Sequence, residues 1–417
     1  MVPKGWKLTS LGEVCSGSLQ TGPFGSQLHA HEYTDEGVPV LMPKDLINYR
    51  ANNESAAKIP EHRADDLKKH TLQSGDLLFS RRGDVARFAL IESDYPRSLC
   101  GTGCLKATPN KAHSPLFLSY FLQKNAVKKW LEQNAVGQTM PNMNTAILAE
   151  LPLMVASSRE EEDKIAKILS TWDKAISTTE KLIETSMQQK KALMQQLLTG
   201  KKRLVNPETG KAFEGEWTYK SINEVATRIQ KKSDGEAHPI LTISSLRGFV
   251  TQEDRYSRYM AGESVKNYIL LKRGEFAYNK GNSKTYQFGC IFDLETFDTG
   301  LVPHVYVCFK LNKGLNHRYF KYLFEADYLK PQLGALVNTG VRNNGLLNIK
   351  PTEFMNTKVP VPCFGEQERI ADVLHASSEN LKILNAKLAH FKQEKKALMQ
   401  QLLTGKRRVK VDEEVAA

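Results

Sequence analysis

No run of eighteen apolar residues occurs in this sequence, so nothing in it has the length of a membrane-spanning helix. The opening residues, Met1-Val2-Pro3-Lys4-Gly5-Trp6, lack the apolar core of a secretory signal, and a cytoplasmic protein is expected. Cysteine is sparse. The six are scattered as befits a reducing compartment, and Cys100 and Cys104 have no second Cys or His pair to complete a zinc site. Catalytic signatures are missing as well. There is no G-x4-G-K-[ST] phosphate loop, and Gly101-Thr102-Gly103 lacks the lysine that would make it one. No G-x-S-x-G elbow or H-E-x-x-H helix appears, and His29 and His31 have no third ligand. Asn206-Pro207 runs on into Glu208-Thr209 instead of the N-P-P-aromatic segment of an amino-methyltransferase. A binding protein is expected rather than an enzyme, and one without a metal site.

What the chain has is positive charge and a repeat. The formal net charge is +12. Residues 217–362 hold 20 Lys and Arg against 13 Asp and Glu, whereas residues 1–156 hold 17 against 15. Such a bias suits a polyanionic partner. The twelve residues from Lys190 to Lys201 return letter for letter as Lys395 to Lys406, at an offset of 205. A repeat of this kind divides the chain into two similar halves, each a globular region followed by a long helix.

The helices are legible in their spacing. No Gly or Pro interrupts Ser157 to Thr199 or Glu366 to Thr404. With Ile165 at heptad position d, the first a/d stripe is Ile165, Leu169, Trp172, Ile176, Thr179, Ile183, Ser186, Lys190, Leu193 and Leu197. The second is Ile370, Leu374, Ser377, Leu381, Leu384, Leu388, Phe391, Lys395, Leu398 and Leu402. Sustained stripes predict a coiled-coil seam, and each helix should be about 60 Å long. Ordinary amphipathic helices packed on their own domains are the alternative.

The globular regions repeat too. Both open W-x3-S-[LI]-x-E-V, at Trp6 to Val14 and Trp217 to Val225. A strand at Val38–Leu41 matches His238–Leu241, and a Gly-acid turn into a strand occurs at Leu72–Phe79 and Leu271–Tyr278. Helices are expected at Leu116 to Gln133 and His317 to Leu329, followed by polar loops at 137–144 and 338–345. Mixed α/β (α+β) domains result. The expected division is 1–156 and 217–362 as globular domains, 157–200 and 363–405 as long helices, 201–216 as linker and 406–417 as tail.

These motifs resemble the specificity (S) subunit of type I DNA restriction-modification systems over nearly the whole chain. The residues that carry the likeness are Trp6 to Val14, Gly37 to Val40, Leu72 to Leu78 with Arg81-Arg82-Gly83, and Val359 to Ile370. The repeated A-L-M-Q-Q-L-L-T-G-K helix end is the most specific of them. Two departures stand out: Glu161-Glu162 replaces the usual E-Q, and Tyr278-Asn279-Lys280-Gly281 replaces Ser80-Arg81-Arg82-Gly83.

The resemblance implies two target recognition domains, each reading half of a bipartite, asymmetric DNA site. It implies long helices paired antiparallel about a pseudo-twofold axis, which set the spacer. Its partners would be double-stranded DNA, two methyltransferase subunits with S-adenosylmethionine, and, when present, nuclease subunits using ATP and Mg. No cofactor is expected in this chain.

Candidate base readers are Gln138, Asn142 and Asn144 in the first loop and Arg342, Asn343 and Asn344 in the second, because forked amides and guanidinium groups match base edges. Arg81, Arg82, Arg87, Lys280 and Lys284 are candidates for phosphate or base contact. A turn-forming role for the asparagines, and solvated charge for the cations, are the plainer alternatives. A coiled-coil scaffold with two protein-binding domains, or an enzyme with unrecognised motifs, are the rival functions.

Overall fold

Two unbroken helices of 39 residues, Arg159–Leu197 and Phe364–Leu402, dominate the computed structural model. The structure describes residues 2–137, 140–256, 263–281, 283–337 and 347–411. Every a and d position of both heptad stripes is buried or half-buried, whereas Leu182, Met187 and Ile383, off the stripe, are 50%, 58% and 63% exposed. The phase of the apolar pattern therefore selects the covered face. The chain divides into two units, residues 1–179 with 387–417 and residues 180–386.

In the first unit the opening strand Lys7–Ser10 pairs antiparallel with Pro152–Val155, so residues from both ends of the globular region meet. A six-stranded sheet follows the order Leu19–Thr21, Cys104–Ala107, Leu77–Ser80, Phe88–Leu90, Arg50–Ala51, Leu46–Ile47. Behind it lies a core of Leu11, Phe79, Phe88, Phe117, Phe121 and Leu153, which also takes in Ile165 and Leu169 from the start of one long helix and Leu402 and Leu403 from the end of the other. Within this unit the two helices therefore run antiparallel. Trp172 packs its edge on Phe391, with ring centres 5.5 Å apart. Cys100 and Cys104 are buried, and burial pushes the Cys100 thiol up to about 12, so both are protonated core residues.

The second unit repeats the frame. Thr218–Ser221 pairs antiparallel with Lys358–Val361. A four-stranded sheet runs Ala226–Ile229, Val307–Leu311, Phe276–Asn279, Cys290–Asp293, matching the first four strands of the larger sheet in order. Its core holds Ile222, Phe276, Phe309, Phe320 and Phe354 together with Met194, Leu197 and Leu198 from one helix end and Ile370 and Leu374 from the other helix start.

The repeated sequence signals have shared physical causes. In the Gly-acid turns, Gly75 and Gly274 take φ of 93° and 83°, open to glycine without strain. The acid then accepts a backbone N–H three residues back: Gln73 N to Asp76 Oδ2 at 2.8 Å, Lys272 N to Glu275 Oε2 at 2.8 Å. The S-x-x-E openings cap short helices, Ser10 Oγ accepting from Glu13 N and Ser221 forming a capping box with Glu224. One expectation fails. The helix expected over Leu116–Gln133 is two, Pro115–Leu122 and Asn125–Asn134, because Lys124 turns to extended backbone (ψ 139°). Likewise His317–Glu325 and Lys330–Leu336 are separate, divided where Asp327 takes φ +54°.

Lysines at a positions are explained by their neighbours. Lys395 lies over the Tyr120 ring (5.3 Å) and pairs with Asp173 at 2.5 Å, while Tyr120 Oη donates to the same carboxylate at 2.6 Å. Lys190 repeats this over Tyr322 (5.4 Å) with Glu325 at 2.5 Å. The stems of both lysines cover the seam while the charge finds a partner.

The E-E departure is explained as well. Glu162 accepts from Ser114 N (2.7 Å), the cap of the helix Pro115–Leu122, and its counterpart Gln367 accepts from Asn316 N (2.9 Å), the cap of His317–Glu325. Either side chain offers the oxygen that this cap needs. Glu162 additionally meets His113 Nδ1 at 3.1 Å.

Candidate nucleic-acid interface

The strand Leu77–Ser80 delivers Arg81 to one edge of the first unit, and the loop after helix Asn125–Asn134 comes back to meet it. Arg81 N–H donates to the Gly103 carbonyl (2.8 Å), and its own carbonyl accepts from Met143 N–H (2.8 Å). Gly83 N–H reaches the Pro141 carbonyl at 3.1 Å, and Val136 and Asn142 exchange two backbone hydrogen bonds of 2.9 Å. The segments around Arg81 and Asn142 are thereby locked side by side. Arg81 Nε and Asn142 Oδ1 are buried with no hydrogen-bond partner in the protein. An orphaned donor and acceptor at one surface cost stability, and a ligand's polar edge can offset that.

The other candidates separate by what already engages them. Arg82 is exposed beside Asn142, its backbone bridged to that residue. Arg87 donates from Nη1 to the Pro43 carbonyl (3.1 Å) and pairs with Asp84 at 3.4 Å, which occupies much of its fork. Asn144 Oδ1 accepts from Ile147 N at 2.8 Å and caps the helix Thr145–Ala149. Gln138 lies outside the described residues.

In the second unit, Lys280 follows strand Phe276–Asn279 as Arg81 follows Leu77–Ser80. Its carbonyl accepts from Leu347 N–H at 3.1 Å, the counterpart of the Met143 to Arg81 bond. The tertiary alignment thus sets Lys280 opposite Arg81, one place away from the pairing suggested by matching Arg81-Arg82-Gly83 to Asn279-Lys280-Gly281. Lys284 is exposed. Arg342, Asn343 and Asn344 lie outside the described residues.

Residues 3–185 match the family model described as the type I restriction modification DNA specificity domain. The chain is 25% identical to the putative type I restriction enzyme MjaX specificity subunit of Methanocaldococcus jannaschii, over 98% of this chain and 95% of that protein. The chain is thus similar to type I specificity subunits over nearly its whole length.

Its fold agrees. The crystal structure of the type I restriction-modification S subunit from M. genitalium aligns with a TM-score of 0.58 at 15% identity, covering 95% of this chain and 96% of that one. The HsdS subunit from Thermoanaerobacter tengcongensis aligns with a TM-score of 0.51 at 16% identity, covering 97% and 98%. The fold they share with this chain is mixed α/β, with long helices beside the sheets. No helix among the described residues is long and apolar enough to cross a membrane.

Sequence reasoning missed two features of this surface. Phe24, 55% exposed, lies under the Arg81 guanidinium with 6.0 Å from its carbon to the ring centre. Val136 and Met140, 62% and 65% exposed, shortly precede Asn142 in the sequence. The turn formers around Phe24, Gly22-Pro23 and Gly25, were the available signal.

Proposed function

We propose that this chain is a type I specificity subunit that reads a bipartite, asymmetric DNA sequence, one half-site per unit, and does no covalent chemistry itself. The observation that carries the reading is the shared stitch beneath unlike side chains. Met143 to Arg81 and Leu347 to Lys280 are the same backbone bond in the two units, yet arginine stands in one and lysine in the other. Like frames presenting unlike groups suit two half-sites that differ in sequence. The basic excess of the chain supplies phosphate attraction.

In this reading residues 1–156 and 217–362 are the two recognition domains. The helical stretches 157–200 and 363–405 set the number of unread base pairs and carry two methyltransferase subunits. Each of those subunits would flip and methylate an adenine with S-adenosylmethionine. Nuclease subunits with ATP and Mg would join when present, and the cytoplasm is the site of action.

The test is to co-express the chain with its methyltransferase and map modified adenines across a genome. A split, non-palindromic motif is expected. Exchanging residues 1–156 for a relative's equivalent should change one half of that motif and leave the other. Change in both halves, or a palindromic motif, would sink the reading.

A further inference from the structure

Phe24 presents an aromatic ring to solvent from a loop that has no freedom to bury it. Gly22 N–H donates to the Cys104 carbonyl at 3.0 Å, and a Cβ on Gly22 would lie 1.9 Å from the Gly101 carbonyl oxygen, so only glycine fits. Beyond the ring, Gln27 Oε1 accepts from Phe24 N (3.0 Å), and Gln27 N donates back to the Phe24 carbonyl (2.8 Å). Leu28 is anchored in a small core with Val38, Val40 and Ile59. Arg63 holds the turn from outside through the Gln27 carbonyl. A pinned loop with a ring 55% exposed is poor design for stability alone, because apolar area left in water forgoes its burial energy. It is good design for contact.

What lies next to the ring indicates the partner. The Arg81 guanidinium covers Phe24, Arg82 is exposed beside Asn142, and the buried Asn142 Oδ1 lacks a partner. Cations, an orphaned amide acceptor and an apolar ring at one edge match a groove of duplex DNA: phosphates, base-edge donors and a thymine methyl. A cation lying over an aromatic ring is also oriented by it, which would hold the Arg81 fork in one direction.

We infer that Phe24 is a specificity-determining residue of the first recognition surface, touching the C5-methyl group of a thymine while Arg81 reads a guanine close by. This rests on the proposed DNA-reading function. The 6.0 Å between the guanidinium carbon and the ring centre is less than two base steps of roughly 3.4 Å. The thymine and the guanine therefore fall within two base pairs of one another.

The experiment uses the full chain assembled with its methyltransferase and a synthetic duplex carrying the mapped target. Each thymine of the half-site read by the first unit is replaced singly by deoxyuridine, which removes only the methyl. Wild-type complex should bind one of these duplexes about fourfold more weakly, the worth of one buried methyl. Phe24→Ala should weaken binding to the unmodified duplex by at least that factor and make the complex indifferent to deoxyuridine at that position. Phe24→Leu, which keeps apolar contact, should retain part of the sensitivity. Deoxyuridine in the other half-site should act equally on all three proteins.

Independent, multiplying losses from Phe24→Ala and from every deoxyuridine would overturn the assignment. So would loss of assembly with the methyltransferase in Phe24→Ala, which would make the ring a protein contact. A sensitive thymine more than two base pairs from any guanine relaxed by Arg81→Ala would break the link between the two residues. Equal binding of the wild-type complex to target and scrambled duplex would instead fail the DNA-reading function itself.

Discussion

Arg203 closes a two-pronged pair with Glu366, Nε lying 2.6 Å from Oε1 and Nη2 2.8 Å from Oε2 of a buried carboxylate. The same arginine donates to the Gly215 carbonyl, and Trp217 Nε1 donates to Glu366 at 2.9 Å. The linker is thus clasped to the start of the second long helix. At an offset of 205 in both partners, Arg408 does this with Glu161 at 2.5 and 2.8 Å, and donates to the Lys4 carbonyl. What the linker does in the second unit, the two ends of the chain do in the first.

Arg203→Ala should therefore leave Glu366 charged, buried and held by a single indole N–H. Breaking a buried pair costs about 3–5 kcal/mol, and the partial exposure of Arg203 lowers the expected loss to about 2–3 kcal/mol. Adding Glu366→Gln removes the stranded charge and should recover at least half. Urea unfolding of the three proteins measures this. Equal losses in the single and double variants would mean that the arginine acts by packing rather than by charge.

Asp327 carries a pH dependence of opposite sign to a paired carboxylate. Burial raises its pKa from 3.8 to about 6, with Lys330 opposing. A folded pKa above the unfolded one means that ionisation costs stability above about pH 6, and the cost fades as pH falls toward 4. Asp327→Asn should stabilise the protein at pH 8 by about 1 kcal/mol, after discounting for solvent screening, and the gain should shrink between pH 6 and pH 4. Asparagine also suits the φ of +54°, but that benefit does not vary with pH. A gain that is flat across this range would leave only the backbone effect.

Arg81→Ala and Arg342→Ala should damage different halves of the target. Each should relax reading at its own half-site by about 1–3 kcal/mol if it forks onto a guanine. Competition binding with single-base variants of the mapped site reads this directly. A uniform loss on all sequences, with a flatter salt dependence, would make the residue a phosphate contact.

Spacer length should follow helix length. The repeated ends are the wrong place to lengthen, since Leu197 and Leu198 lie in the core of the second unit and Leu402 and Leu403 in that of the first. Inserting one heptad into each helix, after Thr179 and after Ala386, preserves the a/d phase and adds roughly 10 Å. The modified adenines should then lie about three base pairs further apart, at roughly 3.4 Å per step. An active variant that keeps the original spacing would show that the helices do not act as the ruler.

The sequence by itself determined the features built from neighbouring residues. The heptad phase from Ile165 to Leu197, the capping signals at Ser10 and Ser221, and the Gly75-Asp76 and Gly274-Glu275 turns depend on side chains a few places apart, so spacing alone reveals them. The tertiary structure decided what depends on distant ones. Arg408 meets Glu161 across 247 positions, and Lys395 meets Asp173 across 222. The break at Lys124 divides a segment whose apolar pattern continues on both sides. Whether Asn144 reads a base or caps a helix turns on one hydrogen bond to Ile147, and asparagine suits either. Arg81 corresponds to Lys280 because both carbonyls accept the same backbone bond, a fact that side-chain letters do not carry. Phe24 stands among the turn formers Gly22, Pro23 and Gly25 in the sequence, and only the fold pins its loop and leaves the ring outside, under the guanidinium of Arg81 more than fifty residues away.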